Sequence, residues 1–150
     1  MRAVIQRVSH ASVEVAGERV GAIERGLVAL IAIGRDDTPE DATYLVNKTV
    51  GLRIFPDAEG RFDRSALDIG AELLVVSQFT LYADTRKGRR PSFTGSAPPE
   101  IASARFAEVV GLFEATGLRV ETGRFGEMMD VSLVNDGPVT IWLDSADRKA

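Results

Sequence analysis

The sequence lacks cysteine altogether and contains a single histidine, His10. Without cysteine the chain has no disulfide, no thiolate nucleophile and no cysteine ligand for zinc. One histidine cannot make a two-histidine metal site. A Ser-His-Asp triad would have to use His10, which lies in a segment predicted to turn between two strands, so we expect it at the surface instead. We expect no metal and no cofactor.

Long apolar runs and an excess of positive charge are also absent. No apolar run approaches the ~18 residues of a membrane span, and the N-terminus lacks the apolar core of a signal peptide, so we expect a cytoplasmic protein. The net charge of −4 argues against a general coat for nucleic acid, which should be basic. Any contact with nucleic acid must therefore be local.

What is present is the composition of one ordinary domain, spanning residues 1–150. Hydrophobic residues make up 45% of the chain and charged residues 27%, which is enough for a core and a polar surface. The apolar patterns predict strands at 1–8, 11–16, 19–23, 27–33, 53–56, 72–79, 118–122, 128–134 and 139–144.

Two helices are indicated. The first begins after Thr38, a good N-cap, with Pro39 at its first position. The second opens at Pro98-Pro99-Glu100 and has Gly117 as its expected C-cap. Strands outnumber helices and no glycine-rich phosphate loop follows a strand, so the pattern is not a Rossmann fold. We expect an α/β protein with mixed, barrel-like sheets covered by helices on one side.

The segment Ser77-Gln78-Phe79-Thr80 ends a strongly apolar strand. Its hydroxyl and amide groups emerge from an apolar wall, where sites are often built. The same groups could instead cap the backbone of their own strand. No charged residue belongs to this segment, and no general base is apparent that would activate a threonine nucleophile. A site here would have to act by orientation and by backbone donors.

The segment Asn135-Asp136-Gly137-Pro138 is predicted to be a turn between two strands. Gly137 has no Cβ, so a ligand could approach its backbone closely. Arg7 lies on the first predicted strand, where it either faces water or holds a partner. We assign Trp142 and the pair Met128-Met129 to the core or to an interface.

Positive charge is concentrated in one predicted surface loop, residues 84–97. Arg86, Lys87, Arg89 and Arg90 stand there together, with Phe93 nearby. They are either a solvated loop or a clamp for a nucleic-acid backbone, on which Phe93 could stack.

Four segments, taken in order, resemble one known family. They are residues 1–8, 77–83, 87–93 and 135–140. In these segments the sequence is similar to the D-aminoacyl-tRNA deacylase family, in its widespread bacterial and eukaryotic form. The resemblance implies a three-layer β/β/α fold. It also implies a homodimeric, tRNA-editing esterase that removes D-amino acids from tRNA, and glycine from mischarged tRNA-Ala.

The resemblance also assigns roles to residues. Gly137 and Pro138 would be joined by a cis bond, reach into the partner's pocket and exclude L-amino acids. Arg7 would hold that pair. The opposite wall would be Ser77, Gln78, Phe79 and Thr80, and Arg86, Lys87, Arg89, Arg90 and Phe93 would meet the tRNA.

Two mechanisms and two other functions stay open. In the family the ribose hydroxyl beside the ester is thought to activate water, with amides near Phe79 and Thr80 steadying the oxyanion. An older interpretation makes Thr80 the nucleophile. The chain could alternatively be a nucleic-acid-binding module without catalysis, or a threonine hydrolase acting on small D-amino-acid esters or peptides.

Overall fold

The computed structural model describes residues 1–149, with Lys149 described by its backbone only. The strands are β1 (Arg2–Val15), β2 (Glu18–Ile23), β3 (Gly26–Ala32), β4 (Phe55–Pro56), β5 (Phe62–Arg64), β6 (Glu72–Ser77), β7 (Val120–Thr122) and β8 (Asp130–Asp144). The helices are α1 (Pro39–Gly51), α2 (Ala66–Ile69) and α3 (Pro99–Glu114), with 3-10 turns at Phe79–Tyr82 and Ser145–Lys149. Within residues 1–149 no helix is long and apolar enough to cross a membrane.

Strand β1 organises the main sheet because three strands pair with it. β8 runs antiparallel along one side of it. On the other side β3 pairs with residues 2–8 and β2 with residues 11–15. β6 then lies parallel to β3, and β7 parallel to β6. β2 also reaches β7, since a Cβ built on Gly21 would lie 2.7 Å from the carbonyl oxygen of Thr122. The sheet is therefore mixed and nearly closed, as the sequence predicted.

Helices α1 and α3 cover one face of this sheet. Their buried side chains, such as Leu45 in α1 and Phe106 and Val109 in α3, join one core cluster with Ile5 and Leu73 of the sheet. α1 begins as predicted, because Thr38 is its N-cap and Asp41 accepts a hydrogen bond from the Thr38 backbone N–H at 2.8 Å. The predicted α/β class, with helices on one side, is confirmed.

Two predicted turns are wrong. His10 lies inside β1 and pairs with Val134 of β8, so the chain does not reverse there. The segment 135–138 does not reverse either. β8 continues through it, because both halves of β8 pair with β1. Local turn composition was overridden by pairing with one long partner strand.

The ends of two elements also differ from the predictions, and one short helix was not predicted. The strand expected over 72–79 ends at Ser77, where a 3-10 turn begins. α3 ends at Glu114 with Ala115 as its C-cap, and Gly117, at φ +85°, follows the helix end. Nothing in the sequence pattern indicated α2, whose N-cap Ser65 accepts a hydrogen bond from the Asp68 N–H. A one-turn helix is too short to show periodicity.

Candidate active site

The turn that follows β6 exposes two unpaired backbone donors. The last sheet bond runs from the Gln78 N–H to the Ile31 carbonyl at 2.8 Å, and the chain then tightens into the 3-10 turn. Leu81 N–H donates back to the Gln78 carbonyl at 3.2 Å. The first amides of such a turn have no partner within it. Accordingly, the N–H groups of Phe79 and Thr80 donate to no acceptor in the described part of the chain.

Thr80 is exposed and has an amide neighbour instead of a base. Its Oγ1 accepts a hydrogen bond from Gln78 Nε2 at 2.6 Å. No carboxylate or imidazole among residues 1–149 makes a hydrogen bond to that oxygen. A hydroxyl nucleophile needs such a base, so the protein side of the site supplies geometry and donors without an activated nucleophile.

Arg2 fixes the far end of the same turn. Its Nη1 donates to the Leu81 carbonyl at 3.0 Å, and its Nε donates to Asp144 at 3.1 Å. The guanidinium also lies 4.4 Å from the ring centre of Tyr82. Burial, reinforced by the nearby Asp37, raises the pKa of Tyr82 well above its ordinary value. Tyr82 therefore stays neutral, and the turn is clamped from two sides.

A cavity of about 770 Å³ opens beside the turn. Phe79 and Phe93 meet edge to face in its wall, with ring centroids 5.0 Å apart. The other apolar lining comes from the ends of β3 and β6, from the start of α3 and from the region where β8 begins. It consists of Ile33, Val76, Ala97, Pro98, Pro99, Ala102, Phe125, Met128, Met129 and Val131. The cavity is large enough for a nucleoside with an attached amino acid, and its aromatic wall suits a base.

The segment around Gly137 forms a bulge in β8. Gln6 pairs with Thr140 and Val8 with Asn135, so the four residues 136–139 stand opposite Arg7 alone. The Asn135 side chain closes the bulge by accepting from the Val139 N–H at 3.1 Å. The Gly137–Pro138 bond is cis, and Gly137 has φ +129°, which side-chain-bearing residues rarely adopt. Both residues are exposed.

Arg7 is buried beneath this bulge, with 7% of its surface exposed. Its Nε donates to the Asp136 carbonyl at 3.1 Å, and its Nη1 donates to the Ile54 carbonyl at 2.7 Å. A Cβ built on Gly137 would lie 3.1 Å from Nη2. The guanidinium therefore touches the bulge directly, and the charge is satisfied by carbonyls and by the Asp136 carboxylate at 3.3 Å.

One chain does not bring the two segments together. Ser77 pairs with Ile31, and Ile31 pairs with Ala3, so these three residues form one rung across the sheet. Arg7 lies on a different rung, where it pairs with Leu27. These rungs are four residues apart along β1, or about 13 Å. Gly137 and Pro138 accordingly do not line the cavity that holds the 3-10 turn.

The basic loop is closed at its base by backbone bonds between Asp84 and Ser92, at 2.7 and 2.9 Å. Arg86 is committed within it, because its guanidinium binds both oxygens of Asp84, at 2.9 and 2.7 Å. This hydrogen bonding lowers the pKa of Asp84 to about 2. Lys87, Arg89 and Arg90 form no ion pair with any residue of the described chain and are exposed.

Sequence reasoning missed part of the cavity wall. Met128 and Met129, assigned to the core or an interface, line the cavity, and Met128 is 90% exposed. Arg35, an exposed cation at the rim, was not singled out. Phe93, grouped with the basic loop, packs instead on Phe79 in the cavity wall. An apolar pair and a single arginine carry no local signal that separates a cavity from any other surface.

A family model described as "D-Tyr-tRNA(Tyr) deacylase" matches residues 4–144. A protein of Roseiflexus sp. (strain RS-1) named D-aminoacyl-tRNA deacylase is 63% identical over 146 residues, covering 97% of this chain and 94% of the relative. A Thermosipho africanus (strain TCF52B) protein of the same name is 59% identical, covering 97% of each. The chain belongs to the D-Tyr-tRNA(Tyr) deacylase family. It is thus an enzyme, a hydrolase of the deacylase type.

Solved structures agree with this deacylase fold. The structure of a protein named "c-Myc DNA Unwinding Element Binding Protein" has a TM-score of 0.91 at 40% identity, covering 96% of this chain and 98% of that one. A probable eukaryotic D-amino acid tRNA deacylase has a TM-score of 0.83 at 18% identity, covering 95% and 97%. The second likeness concerns the fold alone. The family and the fold expected from the sequence are both confirmed.

Proposed function

We propose that the protein hydrolyses the ester between a D-amino acid and the terminal ribose of tRNA, in a site that two copies of the chain complete together. The observation that carries the proposal is the pair of unpaired Phe79 and Thr80 amides beside an aromatic cavity. Two adjacent unpaired N–H donors suit the oxyanion that forms when an ester carbonyl is attacked. The deacylase family membership makes an aminoacyl ester the matching substrate.

The second copy supplies the Gly137–Pro138 bulge. Within one chain the bulge and the cavity lie at different rungs of the sheet, so they meet only if another molecule contributes one of them. β8 offers the surface for this contact, because within residues 1–149 it pairs only with β1, and it exposes Val134 and Trp142. A two-fold contact through β8 would form two equivalent sites, each with a cavity from one chain and a bulge from the other.

Chirality is selected by exclusion. The exposed backbone of Gly137 and Pro138 would face the Cα of the bound amino acid, with Arg7 holding the bulge in place. An L side chain would collide with this backbone, whereas a D side chain would point into open space. Because the site makes little contact with the side chain, it accepts many D-amino acids. Glycine, which has no side chain to exclude, is also removed, including from mischarged tRNA-Ala.

The substrate supplies the missing base. The ribose hydroxyl next to the ester accepts a proton from water as the water oxygen bonds to the carbonyl carbon. The resulting oxyanion is held by the Phe79 and Thr80 amides. Its collapse breaks the bond to the ribose oxygen, which leaves with the proton that the neighbouring hydroxyl passes on to it. Free amino acid and tRNA are the products. Thr80 shapes the pocket through its hydrogen bond with Gln78 and forms no covalent intermediate.

The basic loop binds the body of the tRNA. Its three unpaired cations, Lys87, Arg89 and Arg90, suit phosphates near the acceptor end, while Arg86 fixes the loop through Asp84. Phe93 stacks within the cavity wall. The protein would work in the cytoplasm, where aminoacyl-tRNA is consumed, and the whole chain would act as one domain.

A nucleic-acid-binding module without catalysis is the second candidate. It is favoured by the basic loop and by one solved relative, whose name is that of a DNA-binding protein. It leaves the cavity and the two free amides without a role. A threonine hydrolase for small esters would need a base at Thr80, and the described residues place none there.

One assay separates these candidates. The purified protein is incubated with tRNA-Tyr carrying D-tyrosine or L-tyrosine, and release of the amino acid is followed. We expect rapid release of D-tyrosine and little release of L-tyrosine. Equal rates of hydrolysis of D-tyrosyl-tRNA and L-tyrosyl-tRNA would refute selection of the D-amino acid. Binding without hydrolysis would favour the binding module, and equal hydrolysis of a small D-tyrosine ester would favour the threonine hydrolase.

A further inference from the structure

A small hairpin made by β4 and β5 lies behind Arg7. Its strands are only two and three residues long, so it has little pairing of its own. It is anchored in the core by Phe55, which is fully buried. Its exposed large apolar side chain is Phe62, with 56% of its surface accessible. Contacts with neighbouring residues hold this ring in its position.

The hairpin is stiffened by ionic contacts. Asp57 accepts hydrogen bonds from the N–H groups of Glu59 and Arg61, both at 2.9 Å, and pairs with the Arg61 side chain at 3.1 Å. The backbone N–H of Arg61, foremost among these donors, lowers the pKa of Asp57. Arg53 spans the strands, donating to the Asp63 carbonyl at 2.6 Å and pairing with its carboxylate. The position of the hairpin is therefore well defined despite its size.

This hairpin contacts Arg7 from two directions. The Ile54 carbonyl, just before β4, accepts from Arg7 Nη1 at 2.7 Å. The Phe62 ring lies with its centre 5.6 Å from the guanidinium carbon, within the range of a cation–π contact. On its other side Arg7 donates to the Asp136 carbonyl. The guanidinium therefore lies between the hairpin and the bulge.

We propose that Phe62 is a specificity-determining residue, which positions the Gly137–Pro138 bulge through Arg7 and so sets how strongly L-aminoacyl-tRNA is excluded. This inference rests on the proposed function, in which that bulge excludes L-amino acids. A planar guanidinium meets the Ile54 and Asp136 carbonyls at once only over a narrow range of tilt. The ring face restricts that tilt.

A competing arrangement shows what the ring prevents. The Asp136 carboxylate lies 3.3 Å from Arg7 Nε and is about half exposed. Arg7 already contacts this carboxylate, and without the ring it is free to turn further toward it and away from the carbonyl of Asp136. The bulge then loses its backbone anchor and moves by a fraction of an ångström. Exclusion by collision is sensitive to such a shift, while the amides of Phe79 and Thr80 on the far rung are not.

The test compares hydrolysis of L-tyrosyl-tRNA and D-tyrosyl-tRNA under single-turnover conditions for several variants. We expect Phe62→Leu to raise the ratio of the L rate to the D rate about five-fold, since it removes the ring but keeps an apolar side chain. Phe62→Tyr keeps an aromatic ring and should therefore keep the wild-type ratio of the L rate to the D rate. Leu67→Ala is the matched control, an exposed apolar residue on α2, and should also keep it.

Arg7→Lys separates the role of Phe62 from that of the bulge, since lysine keeps the charge but cannot bridge both carbonyls. If Arg7→Lys raises the ratio and Phe62→Leu does not, the role of Phe62 is refuted and the role of the bulge stands. If neither raises it, the proposed chirality mechanism is refuted as well. Thermal unfolding of each variant is measured alongside. A ratio that rises equally in Phe62→Tyr and Phe62→Leu would also overturn the proposal, because the ring would not be the cause.

Discussion

At Thr80 the most informative feature is the partner of its hydroxyl. Gln78 Nε2 occupies the hydrogen-bonding position that a base would need, and the adjacent backbone N–H groups are unpaired. A residue with this environment can orient a substrate but has no means of losing its proton. Gly137 is its counterpart on the other segment, where φ +129° is strained for any side chain and a Cβ would lie 2.8 Å from Val139 Cγ2.

Thr80→Ala therefore provides a direct test of the mechanism. We expect the variant to keep D-tyrosyl-tRNA hydrolysis within about ten-fold of wild type, because one neutral hydrogen bond is worth roughly 1 kcal/mol. A substrate whose terminal ribose lacks the hydroxyl beside the ester should react at least about a hundred-fold more slowly, since general base catalysis is lost. Both rates are measured by single-turnover deacylation. Complete inactivity of a folded Thr80→Ala would restore the threonine nucleophile.

In the basic loop one cation is paired within the loop and the others are not. Asp84 and Ser92 close the loop, and Arg86 binds Asp84 with two hydrogen bonds, so one cation serves the loop itself. Lys87, Arg89 and Arg90 form no ion pair with any described residue. This division depends on which charges face each other in space, so the sequence motif could not reveal it.

Replacing the unpaired cations should change how the affinity for tRNA depends on salt concentration. For Lys87→Ala, Arg89→Ala and Arg90→Ala we expect weaker tRNA binding. A plot of log affinity against log salt should have a slope that falls by about one for each phosphate the variant no longer binds. Affinity is measured by filter binding at several salt concentrations. An unchanged slope in all three variants would show that the loop does not meet the phosphates.

Helix α1 offers a prediction about pH. Burial of Asp41 opposes its ionisation, but hydrogen bonds, chiefly from the Thr38 backbone N–H, outweigh this and lower its pKa to about 2. Folding thus favours the charged carboxylate, so its contribution is complete above about pH 4 and is lost as the pH falls toward 2.

Asp41→Asn should accordingly lower the free energy of unfolding by about 1 kcal/mol at pH 7, the usual value of a helix-capping interaction. The difference between variant and wild type should shrink steadily between pH 4 and pH 2. Urea unfolding at several pH values measures it. A constant difference across this range would mean that the charge of Asp41 is not what stabilises the helix start.

For the whole molecule, the decisive feature is the length of β1 and β8. The two strands pair from Arg2 with Asp144 to Glu14 with Asp130, and their interruption opposite Arg7 creates the bulge. The same strands carry the bulge away from the cavity, which opens at the end of β6. In the proposed function a complete site therefore takes residues from two chains, and the exposed side of β8 is the surface proposed for their contact.

Val134→Asp tests this arrangement. If the proposed dimer forms through β8, a carboxylate on its exposed face should leave the protein monomeric and reduce deacylation at least about a hundred-fold, because a charge buried in an interface without a partner is costly. Light scattering gives the oligomeric state and the charged-tRNA assay gives the rate. Leu67→Asp, which places a charge at an exposed position of α2, is the control and should change neither. A fully active Val134→Asp monomer would contradict the shared site.

The sequence alone determined the family, the α/β class and the start of α1, and it predicted which segments form the site. These follow from local patterns: apolar periodicity, helix-capping residues and four motifs in a fixed order. It also excluded cysteine chemistry and a two-histidine metal site, which composition decides by itself.

Only the tertiary structure decided where those segments stand. The reversal predicted at 135–138 is a bulge, because one long strand pairs with both halves of β8. Arg35, Met128 and Met129 enter the cavity wall through contacts that are distant in sequence. Local composition describes what a segment prefers in isolation. Long-range pairing overrides that preference and here places the two site segments at different rungs of the sheet, about 13 Å apart along β1.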